Sequence, residues 1–184
     1  MKLMGASRGA AGKVLGVFRD IGRDGVETAL RRLNLQQLIG GTPQDMFIGL
    51  TEVICRDGGA IDEAIARQAW LETAAEVDKL GVEDLSKLTA DQVCEIFLTF
   101  VAHAIEIHLY QQIGINGFAA AQSLADIERT DAELRSYIER AVRDSFTSDL
   151  ADLSTTTDSE IGVVVDRTFQ EAWELLMQVE KITQ

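Results

Sequence analysis

The chain has 184 residues and a net charge of −13, and 46% of its side chains are hydrophobic while 26% are charged. This length suits one sizeable hydrophobic core, and the composition excludes disordered and fibrous proteins. No apolar run approaches the roughly 18 to 20 residues needed to span a bilayer, and two cysteines without an apolar leader argue against secretion. We therefore expect a cytoplasmic protein with no membrane partner.

Charge is unevenly distributed along the chain. The first 32 residues carry seven basic and three acidic groups, whereas the remainder carries ten basic and 27 acidic groups. A basic segment on an acidic body can bind an acidic partner or phosphate, or it can pair with acids of its own chain. We predict a partner-binding surface that contacts an acidic face of the partner. This surface consists of Arg19, Arg23, Arg31 and Arg32.

The glycines are concentrated at the same end, because eight of the fifteen lie in the first 41 residues. Each glycine weakens a helix interior by about 1 kcal/mol relative to alanine. We therefore expect short, weak helices over about residues 10–22 and 24–38. The expected organisation is a basic, glycine-rich N-terminal segment (1–41) and an acidic helical bundle (42–184), which together form one domain.

Apolar residues recur at helical spacing throughout the acidic body, and capping signals divide it into further helices. Thr42 before Pro43 predicts the start of a helix, and Thr89 with Gln92 forms a second, strong start signal. The predicted helices cover about residues 43–57, 60–80 ending at Gly81, 90–114, 118–127, 130–150 with a capping box at Thr130, and 159 to the C-terminus, capped by Asp158 or Ser159. No alternating strand pattern appears, so we predict an all-α, single-domain bundle of about six to eight helices.

Few residues form a pattern that is typical of a catalytic or ligand-binding site. His103 and His108 are five residues apart, which places their rings about 140° apart on a helix rather than on the one face that a zinc pair needs. Gly12-Lys13 lacks the remaining residues of a phosphate-binding loop. Cys55 and Cys94 fit small buried side chains. We therefore assign no catalytic, cofactor or metal residues.

Several short stretches of the sequence that contain glycine and arginine resemble the B component of the Qat anti-phage defence system (QatB). The resemblance rests on Ala6–Asp20, Gly25–Leu33 and Leu38–Gly41, on the helical run Ile61–Trp70, and on the long helices that follow. It implies a bacterial operon that also encodes an ATPase, a QueC-like protein and a TatD-like nuclease. It further implies a non-enzymatic partner or regulatory subunit that docks the QueC-like protein and presents an N-terminal tail for modification.

The resemblance leaves alternatives open. The operon ATPase is a second candidate partner. A nucleic-acid-binding helical module could use the basic N-terminal segment, although the acidic body disfavours binding to phosphates. A small enzyme using carboxylates or His103 is the remaining alternative.

Overall fold

The computed structural model describes residues 4–55, 60–118, 124–146, 150 and 152–180. Every regular element in these ranges is helical, which confirms the predicted all-α bundle. The helices are α1 (Gly5–Asp24), α2 (Val26–Arg32), α3 (Pro43–Gly49), α4 (Thr51–Ile54), α5 (Ile61–Ala75), α6 (Ala90–Phe118), α7 (Leu124–Ser145) and α8 (Asp158–Glu180). Single 3-10 turns lie at Gln36–Leu38, Leu85–Lys87 and Leu153–Thr155.

Helix α6 lies at the centre of the bundle and packs against α1, α5 and α7. By length and composition it is apolar enough to cross a membrane, contrary to the expectation from the sequence. However, 72% of its most apolar window is buried inside the protein. The core position therefore accounts for the apolar character of this helix.

Aromatic side chains join the N-terminal segment to the body. Phe18 of α1 contacts Phe47 of α3, which stacks on Trp70 of α5 at a ring distance of 5.2 Å. Trp70 in turn contacts Phe100 of α6 and donates its indole N–H to the carbonyl oxygen of Phe47 at 3.0 Å. The buried side chains within residues 4–55 and those of the later helices thus form one hydrophobic cluster.

Two predicted helix starts are confirmed, and a third lies one residue earlier than expected. Thr42 and Asp45 form a capping box at α3, and the side chains and backbone N–H groups of Thr89 and Gln92 bond reciprocally at α6. At α8 the backbone N–H of Glu160 donates to Thr157 Oγ1, and the Thr157 N–H donates to Glu160. Thr157 therefore caps α8, in place of the predicted Asp158 or Ser159.

The N-terminal helices differ from the expectation in length. Helix α1 begins at Gly5 rather than near residue 10 and continues to Asp24, because its buried face provides enough apolar contact to outweigh the glycines. The helix predicted over 24–38 ends at Arg32. Asn34 takes a left-handed conformation (φ 59°), which interrupts the helix before the 3-10 turn at Gln36–Leu38.

The boundary between α6 and α7 was predicted wrongly. Helix α6 continues beyond Gly114 to Phe118, because a glycine weakens a helix without ending it. Helix α7 begins at Leu124, so the capping-box sequence at Thr130 lies inside a helix. Half of the short helix predicted over 118–127 falls on residues 119–123, which lie outside the described residues. The helix predicted over 43–57 is divided into α3 and α4 and ends at Ile54, and the helix predicted over 60–80 ends at Ala75.

Candidate interaction surface

Helix α1 has two opposite faces. The buried face carries Ala10, Ala11, Val14, Leu15, Phe18 and Ile21. On the opposite side, residues recur every three or four positions, which keeps them on one face. We call this the glycine–arginine face of α1; it consists of Gly5, Gly9, Gly12, Gly16, Arg19 and Arg23.

The fold itself does not require glycine on this face. A Cβ atom built on Gly9, Gly12 or Gly16 would meet no atom within 4 Å, and one on Gly5 would meet only a carboxylate oxygen of Asp62, at 3.8 Å. Gly49 differs, because a Cβ there would lie 2.3 Å from the side chain of Leu38. The glycines of α1 thus leave accessible backbone that no packing contact within the chain uses.

A groove of about 630 Å³ runs beside this face, between α1 and α8. Gly9, Gly12 and Gly16 line it on the α1 side, and Ile161 and Val165 line it on the α8 side. Two ion pairs join the helices across it: Arg8 contacts Asp166 at 3.1 Å, and Arg19 contacts Asp158 at 2.5 Å. The groove therefore combines a small-residue floor with a charged rim.

Arg19 is the least exposed of the four arginines that the sequence singled out, with 12% of its side chain accessible. Its Nη1 donates to Asp158 Oδ1 and to the carbonyl oxygen of Thr156, and its Nε donates to Asp20. The bond to Asp158 is the main cause of the raised pKa of Arg19. Arg19 therefore holds the start of α8 against α1.

The other three predicted arginines lie together at the C-terminal end of α1 and on α2, with roughly half of each side chain exposed. Arg23 and Arg32 both bind Asp24, while Arg31 binds Glu27 at 2.7 Å. The hydrogen bond from Arg23, assisted by Arg32, lowers the pKa of Asp24 to about 2. The structure thus groups these arginines and also pairs each with a carboxylate of the chain.

The two histidines lie apart from this surface. His103 is buried beside Glu72 and Glu76, whereas His108 packs its ring against Trp173. Within the ranges that the structure describes, no group of three or more histidine, cysteine or acidic residues could hold a metal ion.

The two thiols are not activated. Burial raises the pKa of Cys55 and of Cys94 to about 11, so both remain protonated at neutral pH. Cys55 is buried and its Sγ lies 3.4 Å from the carbonyl oxygen of Ala66. Lys13 follows Gly12 in the middle of α1 rather than at the end of a loop, so this pair does not form a phosphate-binding turn.

Reasoning from the sequence missed the glycine–arginine face as a unit. The spacing 5, 9, 12, 16 was a signal for one helical face, but the glycines were interpreted only as weakening the helix. Reasoning from the sequence also missed the carboxylates around His103. Glu72 and Glu76 belong to α5 while His103 belongs to α6, so spacing along the chain does not reveal their contact.

A protein-family model described as "Qat anti-phage system associated protein QatB" matches residues 1–176. No curated protein and no solved structure matches the chain. The family match covers nearly the whole chain, including α1, α2 and the body of the bundle. The chain therefore belongs to the QatB family of Qat anti-phage system associated proteins.

Proposed function

We propose that this chain is a non-enzymatic partner subunit of a bacterial anti-phage defence complex and that it docks the QueC-like protein of the same operon. Membership in the QatB family supports the role in anti-phage defence. The resemblance described above supports the choice of the QueC-like protein, with the operon ATPase as the second candidate partner. The glycine–arginine face begins at Gly5 in the first turn of α1, so docking there would also bring the N-terminal tail to the QueC-like protein for modification.

The observation that carries this proposal is the open space beside the glycines of the glycine–arginine face of α1. Four glycines weaken the helix by about 1 kcal/mol each relative to alanine, yet Gly9, Gly12 and Gly16 leave space that the chain does not fill. A backbone without side chains allows another chain to approach closely. A partner that packs on α1 gives these glycines a physical role.

The arginines would set the charge preference of the contact. Arg23, Arg31 and Arg32 keep about half of their side chains accessible while paired with Asp24 and Glu27. Exposed ion pairs of this kind are weak and exchange readily. An acidic partner surface can therefore form ion pairs with these guanidinium groups, in place of Asp24 and Glu27, without unfolding α1 or α2.

Neither alternative function gains specific support from the geometry. The chain beyond residue 32 carries ten basic and 27 acidic groups, which disfavours binding to nucleic-acid phosphates. His103, the candidate for an enzyme, is 6% exposed.

Co-expression with the QueC-like protein, followed by size-exclusion chromatography and intact mass measurement, tests association and N-terminal modification together. We expect the wild-type chain to co-elute with the QueC-like protein. The double variant Arg31→Glu/Arg32→Glu should lose co-elution, because it replaces two exposed cations with anions that an acidic partner surface repels.

The control is the double variant Arg129→Glu/Arg140→Glu, which makes the same charge change at two exposed positions of α7 and should leave co-elution intact. Circular dichroism and the Tm of each variant show whether the fold is retained. Unchanged co-elution of the folded Arg31→Glu/Arg32→Glu variant would contradict the proposed docking surface. Failure of the wild-type chain to associate with the QueC-like protein would contradict the proposed function itself.

A further inference from the structure

A buried histidine sits among three carboxylates where α5 packs on α6. His103 of α6 is 6% exposed, and Glu106, one turn further along α6, is 4% exposed. The Nδ1 atom of His103 lies 3.3 Å from Glu72 Oε2 and 3.7 Å from Glu106 Oε2, while Nε2 lies 3.5 Å from Glu76 Oε2. Each ring nitrogen therefore lies within 4 Å of a carboxylate oxygen, although neither makes a hydrogen bond.

The carboxylates around the ring outnumber the lysine and arginine side chains that neighbour them. Glu106 accepts hydrogen bonds from Arg135 of α7, at 2.9 and 3.1 Å, and Glu76 pairs with Lys79 at 3.1 Å. On the α7 side, Glu139 and Arg143 also line the cleft beside the ring, and Arg143 is paired with Glu95.

Of the three carboxylates next to the ring, Glu72 is the one with no lysine or arginine at ion-pair distance in the part of the chain that the structure describes. Its Oε1 accepts a hydrogen bond from the neutral amide of Gln68. Among the described residues, His103 is the one basic group within ion-pair distance of Glu72.

The two protonation states of the ring differ in their number of N–H groups. A neutral imidazole has one N–H and one lone pair, whereas an imidazolium has two N–H groups. A neutral ring would direct its lone pair at a carboxylate oxygen on one side or the other. Only the doubly protonated ring carries a positive charge and an N–H on the nitrogen nearest each carboxylate.

Electrostatics act in the same direction. Burial lowers the pKa of His103, but the close contact of Glu106 and the charges of Glu72, Glu76 and Glu106 outweigh it, so that the pKa is raised above its usual value. The charge of His103 also helps to lower the pKa of Glu76, against the effect of burial.

We propose that His103 is held as a doubly protonated cation in the folded chain, that it stabilises the packing of α5 on α6, and that loss of its proton as the pH rises weakens this contact. Because the pKa is higher in the folded than in the unfolded chain, the stabilisation is complete below the unfolded pKa of about 6.5. It is lost as the pH rises through the folded pKa. The device belongs to the fold and does not depend on the docking partner.

The direct test is an NMR titration of the two histidine rings in the intact chain, which contains only His103 and His108. We expect the pKa of His103 to lie above the ordinary histidine value of about 6.5 and above the pKa of His108, which burial lowers. The variant Glu72→Gln changes a partly exposed side chain and should shift the pKa of His103 down. A folded pKa of His103 at or below the ordinary value of about 6.5 in the wild-type chain would overturn the proposal.

Thermal unfolding gives an independent readout of the same device. The wild-type Tm should fall as the pH rises through the folded pKa of His103, and His103→Gln should remove most of this pH dependence. The matched control His108→Gln should retain it. If His103→Gln does not fold, the comparison of wild type with Glu72→Gln remains decisive: an equal fall of Tm with pH in both would contradict the proposal.

Discussion

At the scale of single residues, the glycines of this chain serve two different purposes. Gly25, Gly40 and Gly81 have positive φ angles of 85°, 81° and 69°, which side chains disfavour, and they lie between helices. Gly12 and Gly16 have ordinary helical conformations and open space around them. The first group is explained by the local fold, whereas the second is explained by our proposed docking surface.

This difference predicts opposite effects of the same substitution. Gly12→Ala and Gly16→Ala should each stabilise the isolated chain by up to about 1 kcal/mol, because alanine favours the helix and meets no obstacle. Gly81→Ala should destabilise it by about 1 to 2 kcal/mol, because alanine resists the left-handed conformation. Urea unfolding measures both free energies. A loss of stability in Gly12→Ala would show that this glycine serves the fold itself.

At the scale of helices, local capping chemistry predicted some boundaries and failed at others. Thr42 and Thr89 cap their helices as expected, because the side-chain bonds involve neighbouring residues only. The similar sequence at Thr130 does not start a helix, although Asp131 within it accepts a hydrogen bond from Tyr110 of α6. That contact joins two helices, so the sequence around Thr130 could not reveal it.

The start of α8 offers a matched test of capping. Thr157→Ala should destabilise the chain by about 1 kcal/mol, because it removes the oxygen that accepts the N–H of Glu160. Ser159→Ala lies two residues later inside the helix and should have little effect. Chemical unfolding of the two variants compares them directly. A larger loss for Ser159→Ala would mean that the capping contact does not stabilise α8.

At the scale of the whole molecule, the apolar pattern predicted the fold class while the distribution of charge only partly predicted the site. Three of the four predicted arginines lie together, but the pairing of all four with Asp24, Glu27 and Asp158 depends on how α1 meets α2 and α8. The basic segment is therefore part of the bundle, joined to it by the aromatic contacts of Phe18, Phe47 and Trp70. Tertiary contacts of this kind are not encoded in local spacing.

The central claim is that a partner packs on the exposed face of α1. Its most direct test is the Kd for the QueC-like protein measured for Gly12→Leu and for Gly22→Leu. Both glycines have open space within 4 Å, but Gly22 lies roughly 100° around the helix from the centre of the glycine–arginine face. Our account predicts a folded Gly12→Leu chain that binds at least tenfold more weakly, and a Gly22→Leu chain that binds like wild type. Equal affinities for the two folded variants and the wild type would contradict it.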